Sequence, residues 1–265
     1  MERIKQALER ARAERQGQTT PVARVSSPGV ASSPAEPVEI SYTQTRNAEL
    51  SDLHLRKHRI VANLENSPFA DAYKLLRTQV LQRLKENDWN VLAVTSPGVG
   101  EGKTVTALNL AASLAMEIDR TVLLIDANLR NPNLHEHLGI DCQAGLSDYL
   151  LDDTPLSELF VHPKGIDHLT ILPGGQALQN SSELLNSPKM TRLVEEVKSR
   201  YPERIVIFDL PPVLTAADAL AFSPYVDATL LVIEDGKTSR KDTARAVEML
   251  SNTNVLGTVL NKRPD

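Results

Sequence analysis

Cysteine is almost missing from this chain: its 265 residues hold one, Cys142. That excludes an intrachain disulfide and any cluster of thiolate ligands on a metal, and it fits a reducing compartment. Aromatic residues make up only 4%, so Leu, Val, Ile and Ala must fill whatever core forms. No apolar run reaches the roughly eighteen residues a bilayer-spanning helix requires. The opening stretch MERIKQALERARAERQ is charged throughout and lacks the apolar segment of a secretory leader. Together these absences lead us to expect a soluble, cytoplasmic protein. Positive charge is scarce too. The net charge is −5, with ten basic and seven acidic residues in 1–60 against nineteen and twenty-seven in the remainder. An acidic body argues against nucleic-acid binding, which needs a cationic face.

Two zones differ in texture. Residues 1–60 are expected to form a disordered N-terminal arm. Within it Ile4, Ala7, Leu8 and Ala11 fall at helical spacing and predict a short amphipathic helix over 2–16. PVARVSSPGVASSPAEP follows, with four prolines and four serines in seventeen positions, which is linker composition. From 61 to 265 short β-branched runs alternate with helical patterns. Strands are predicted at 91–96, 121–127, 169–174, 204–210, 228–234 and 255–261. Helices are predicted from SPFADAYKLLRTQVLQRLKE, TVTALNLAASLAMEI and SPKMTRLVEEVKSRY. Near-continuous apolar strands separated by helices imply an α/β fold, a mostly parallel sheet covered on both faces.

In such sheets ligands bind beyond the carboxyl ends of the strands. The first predicted strand ends in VTSPGVGEGKT, residues 94–104. Gly98, Gly100 and Gly102 permit turns that aim the N–H groups of the loop, Val99 and Glu101 included, at a phosphate chain. Lys103 can reach β- and γ-phosphates, the Thr104 hydroxyl can ligate Mg2+, and both open a helix whose N-terminus favours an anion. Two more strands stop at acids, VLLID at Asp126 and IVIFD at Asp209, where P-loop proteins hold magnesium directly or through water. The loop departs from G-x-x-x-x-G-K-[ST], because Pro97 stands where the leading glycine is usual.

TSPGVGEGKT, VLLIDANLRNP and IVIFDLPP together resemble the three Walker-type motifs of the bacterial tyrosine kinases of capsule and exopolysaccharide systems. The likeness runs from about residue 66 to 261 and includes DAYKLLRT, GLSDYL and SSELLNSPKM. It implies a P-loop NTPase fold, with ATP and Mg2+ as cofactors. Lys103 and Thr104 would meet phosphate and metal, and Asp209 would be the Walker B acid. Asp126 would help hold the metal and accept the proton of an attacking tyrosine hydroxyl. Asn261 would contact the base. NKRPD places its acid one residue too far along for the guanine-reading N-K-x-D, which favours ATP. The resemblance also implies a separate transmembrane activator that recruits the chain to the inner face of the cell membrane. The related ParA/MinD-type ATPases carry a signature lysine where this chain has Gly98.

Three departures bear on activity. Asn128 replaces a second Walker A′ aspartate, and an amide cannot take up a proton. No tyrosine follows Tyr225, leaving Tyr42 as the accessible acceptor, while Tyr73, Tyr149, Tyr201 and Tyr225 sit in apolar patterns and are expected to pack. The family's subunit-contact motif E-x-x-R-x-x-R appears as Asp71, Lys74 and Arg77, a weaker version for homo-oligomer contacts. An ATPase switch without kinase activity and a nucleotide-binding adaptor therefore stay open beside the kinase. His135 and His137 are expected at the surface, being two apart on a helix. Arg130 is open between approach to the nucleotide and a surface salt bridge. On the sequence alone, Asn128→Asp should raise phosphoryl transfer.

Overall fold

The computed structural model describes residues 45–61, 68–201 and 203–263. The amphipathic helix at 2–16, most of the linker and Tyr42 lie outside the described residues. Elements run β1 (Arg46–Ala48), α1 (Asp52–Lys57), α2 (Pro68–Asn87), β2 (Val91–Thr95), α3 (Lys103–Leu114), β3 (Thr121–Asp126) and α4 (Leu134–Leu138). There follow α5 (Leu146–Asp152), α6 (Leu156–Leu159), β4 (Val161–Pro163), β5 (Leu169–Leu172), α7 (Ser181–Leu185), α8 (Pro188–Ser199) and β6 (Arg204–Asp209). The chain ends with α9 (Asp218–Phe222), β7 (Ala228–Glu234), α10 (Arg240–Met249) and β8 (Val255–Asn261).

The eight strands form one sheet in the order β1-β4-β5-β3-β6-β2-β7-β8. β5 through β8 along that order pair in parallel, while β4 meets β5 antiparallel and β1 follows β4. Side chains alternate across the sheet. Leu92, Val94, Val122 and Leu124 face one core with α1, α2, α3 and α4. Val91, Ala93, Leu123 and Ile125 face a second core with α5, α7, α8, α9 and α10. Burial on both faces is why β2 and β3 read as unbroken apolar runs. The helix entries are legible too: the Ser187 hydroxyl caps α8 by accepting from Met190 N at 3.2 Å, with Pro188 at the first helical position.

Residues 45–60 correct the expected arm. β1 adds to the sheet beside β4, and α1, capped by Ser51, buries Leu55 and leads to a buried Ile60. Val61 N donates to Asn109 Oδ1 at 2.7 Å, and Asn109 returns a bond to the Arg59 carbonyl, so this segment is stitched to α3. Its composition resembles a linker because β1 is the polar tripeptide Arg46-Asn47-Ala48, an edge strand with no apolar pattern to announce it. Tyr201 corrects another expectation. It is 38% exposed, with the Arg204 guanidinium 4.2 Å from its ring centre, whereas Tyr73, Tyr149 and Tyr225 do pack against the cores.

Truncating Ile60 to Ala in a docked segment should cost about 2–5 kcal/mol in denaturant unfolding. A cost below about 0.5 kcal/mol would show that residues 45–60 are not part of the cooperative fold.

Candidate nucleotide site

Strand order creates the site. β6 lies between β2 and β3, with Val94 and Asp126 both register partners of Asp209. Three carboxyl ends therefore meet at one place. The segment after β6 is sewn to the loop after β2: Leu210 N donates to Val94 O at 2.9 Å, Val213 N to Ser96 O at 2.9 Å, and Leu214 N to Pro97 O at 3.3 Å. Pro97 thus serves through its carbonyl, for which no leading glycine is needed.

Of the three loop glycines, Gly100 (φ 78°) and Gly102 (φ 95°) adopt left-handed backbone, which only glycine takes without strain. Gly98 does not, and its role differs: its N–H donates to Glu101 Oε2 at 2.9 Å. Glu101 is buried and also accepts from Thr238 Oγ1 at 2.6 Å, so its side chain braces the loop from outside. Asn261 Nδ2 donates to the Glu101 carbonyl at 2.9 Å, and a Cβ on Gly102 would collide with that amide. Val99 is exposed at the crest, and Lys262 Nζ reaches Gly100 O at 2.6 Å. The N–H groups from Val99 to Thr104 find no acceptor among the described residues. Such a run of unengaged donors at a helix start is what a phosphate chain requires.

Beneath the loop, Lys103 Nζ lies 3.2 Å from Asp209 Oδ1 and 3.1 Å from Thr104 Oγ1. Thr104 Oγ1 donates to Asp209 Oδ2 at 2.6 Å. Asp126 is fully buried beside them. It accepts from Asn128 N at 3.1 Å and from Asn133 N and Leu134 N at 3.0 Å each. Burial first, and then the neighbouring Asp209 carboxylate, push Asp126 from the ordinary 3.8 up to about 7. Gly174, after β5, permits this cover: a Cβ there would come 3.3 Å from the Asp126 carboxyl carbon.

A cavity of about 450 Å³ opens over the loop and Lys103, walled on the far side by residues 128–137 and by Pro211 to Ala216. Asn128 closes a turn there, its Nδ2 donating to Asn131 O at 2.9 Å. An aspartate could not make that bond, so the gain expected from Asn128→Asp is offset by a carboxylate facing a carbonyl. His137 is not a surface histidine as expected. It lines the cavity, and its Nδ1 is 3.3 Å from His58 Nδ1, so at least one of the two rings is neutral there. Desolvation depresses both, joined by the stacked His54 ring for His58 and by the His58 ring for His137. Nothing in the spacing of His58 and His137 signals this pair, because it exists only where α1 lies against α4. Asp71 and Lys74 pair with each other at 2.9 Å, while Arg77 turns into its own α3, donating to Ser113 O at 3.0 Å.

Comparison with known proteins agrees with this geometry. A model of the AAA domain family (AAA_31) matches residues 90–248. The tyrosine-protein kinase YwqD of Bacillus subtilis is 34% identical over 194 residues, covering 72% of this chain and 80% of that protein. The chain belongs to the bacterial tyrosine kinase family. The kinase domain of Escherichia coli tyrosine kinase ETK superposes with a TM-score of 0.68 at 32% identity, over 74% of this chain and 77% of that one. The succinoglycan biosynthesis transport protein ExoP of Rhizobium meliloti is 35% identical over 217 residues, 78% of this chain. This chain spans only 26% of ExoP's length. Among the described residues no helix is long and apolar enough to cross a membrane.

The raised Asp126 has a consequence for stability. The folded state holds its proton from the ordinary carboxylate range up to about 7, so this contribution is fully present below that range and is lost as pH rises through 7. Without nucleotide, the melting temperature should fall between about pH 4 and about pH 7. Asp126→Asn should flatten that slope whatever its effect on the absolute value, and an unchanged slope would point to another group.

Proposed function

We propose that this chain binds ATP with Mg2+ and transfers the γ-phosphate to a tyrosine hydroxyl. The observation that carries the reading is the joining of three strand ends: Lys103, Thr104 and Asp209 form one hydrogen-bonded cluster under the loop, with Asp126 beside it. Phosphoryl transfer is mostly positioning and charge neutralisation, and these are the groups that supply both.

The unpaired N–H groups from Val99 to Thr104 would hold the phosphate chain. Lys103 would exchange part of its contact with Asp209 for the β- and γ-phosphate oxygens. Thr104 and Asp209 offer oxygen ligands for Mg2+, with Asp126 in support, and the bound ion would supply positive charge to the transferring group. Asp126, titrating near 7, is suited to accept the tyrosine proton. Its carboxylate is covered by the Asn133–Leu134 backbone, so that contact requires the turn to shift when the acceptor binds. Asn261, fixed to the outer wall of the loop, would meet the base edge of the nucleotide.

The name of ExoP, a succinoglycan biosynthesis transport protein, supports a role in polysaccharide assembly, and the reading extends to a separate transmembrane activator as partner, with membrane recruitment through it. Self-association through α2 would draw on Asp71 and Lys74 and on the exposed Phe69 and Leu75, since Arg77 is engaged within its own subunit. A second reading, an ATPase switch, is favoured by Asn128: the position that would carry a second acid holds an amide engaged in a turn.

Incubation with ATP and Mg2+ should produce phosphotyrosine, and Lys103→Ala should reduce it at least about a hundredfold with the fold intact. Phosphate release without phosphotyrosine would select the switch, and absence of both would leave the adaptor.

A further inference from the structure

The far wall of the cavity carries a further cation, whose role the sequence left open between the nucleotide and a surface salt bridge. Arg130, four residues beyond Asp126, lines the cavity together with Lys103 and Lys262, and no carboxylate is among the lining residues. Lys262 is bonded to Gly100 O and Glu234, and Lys103 to Asp209. Arg130 is held differently. Its Nε donates to Asp218 Oδ1 at 3.1 Å, and neither Nη atom makes a hydrogen bond among the described residues. The arginine side chain stays 46% exposed, while the Asp218 side chain is fully buried.

Asp218 is the first residue of α9, and its second oxygen accepts from the hydroxyl of Ser181, the first residue of α7. A buried carboxylate is costly to keep charged unless both oxygens are satisfied, and here they are satisfied by one arginine edge and one hydroxyl. An arginine gripped through Nε has its orientation fixed while its two terminal amino groups project onward as a fork suited to phosphate oxygens. A lysine at this position could not serve both partners at once.

We propose that Arg130 is a contact for the terminal phosphate of the bound nucleotide, held in place by Asp218 as a positioning residue. The proposal rests on the nucleotide reading above and adds a group on the opposite wall from the loop. With Lys103 on one side and Arg130 on the other, the γ-phosphate sits between two cations, and the charge that develops on it during transfer is met from both.

The test compares affinities of Mg·ATPγS and Mg·ADP in wild type, Arg130→Ala, Asp218→Asn and the double variant. Arg130→Ala should weaken Mg·ATPγS by about tenfold or more, the worth of a charge-assisted contact, and leave Mg·ADP within about twofold. Asp218→Asn should shift the ratio in the same direction, and the double variant should be no worse than Arg130→Ala alone, a non-additivity that mere loss of stability does not produce. If Asp218→Asn does not fold, Ser181→Ala takes its place with a smaller shift of the same sign. An unchanged ratio in Arg130→Ala, or equal loss for both nucleotides, overturns the phosphate contact. An altered ratio there with none in Asp218→Asn overturns the positioning role. A wild type that binds neither nucleotide sinks the nucleotide reading and this inference together, whereas a wild type that binds both separates the two.

Discussion

The ion pair between Lys103 and Asp209, closed off beneath a glycine-turned loop, is the contact on which the rest of this architecture depends. Both partners are buried, so each charge needs the other, and the Thr104 hydroxyl satisfies a further oxygen of the carboxylate. The pair exists only because β6 is inserted between β2 and β3, which brings the start of α3 over the end of a strand a hundred residues later. The loop, the second acid and the far wall of the cavity are arranged around that point.

Keeping two carboxylates side by side with one lysine carries a stability cost that the fold accepts. Asp126 receives three backbone N–H bonds and still holds its proton well above the ordinary range, because burial and Asp209 outweigh them. A site of this kind gains by receiving positive charge, which is the sense in which a bound cation and the folded state would support each other. The bracing of the loop follows the same logic. Glu101 accepts from Gly98 and Thr238, and Asn261 holds its carbonyl, so none of these groups takes up the loop's remaining N–H donors.

Much of the sheet was legible in advance. The six parallel strands match the predicted runs to within two residues at either end: the inner ones because a strand buried on both faces must be apolar along its length, and the half-exposed edge strand β8 because VLGTVLN is still mostly β-branched and apolar. The opposite edge was not legible. β1 is three residues long and polar, and β4, Val161–Pro163, is equally short and lacks alternation; both are strands only by virtue of what they lie beside. α1 and the residues after it were hidden for the same reason, since Leu55 and Ile60 reveal an apolar face only when α3 and α4 are there to receive it.

For the site, residue type and spacing determined that a glycine-turned loop followed by Lys103 and Thr104 begins a helix, and that Asp126 and Asp209 end strands. Those are local matters, fixed by backbone freedom, helix starts and strand length. Tertiary structure alone decided that Thr238 braces Glu101, that His137 meets His58, and that Asp218 grips Arg130. Each of these joins residues whose separation along the chain bears no relation to their distance in space, so no periodicity in the sequence could encode it.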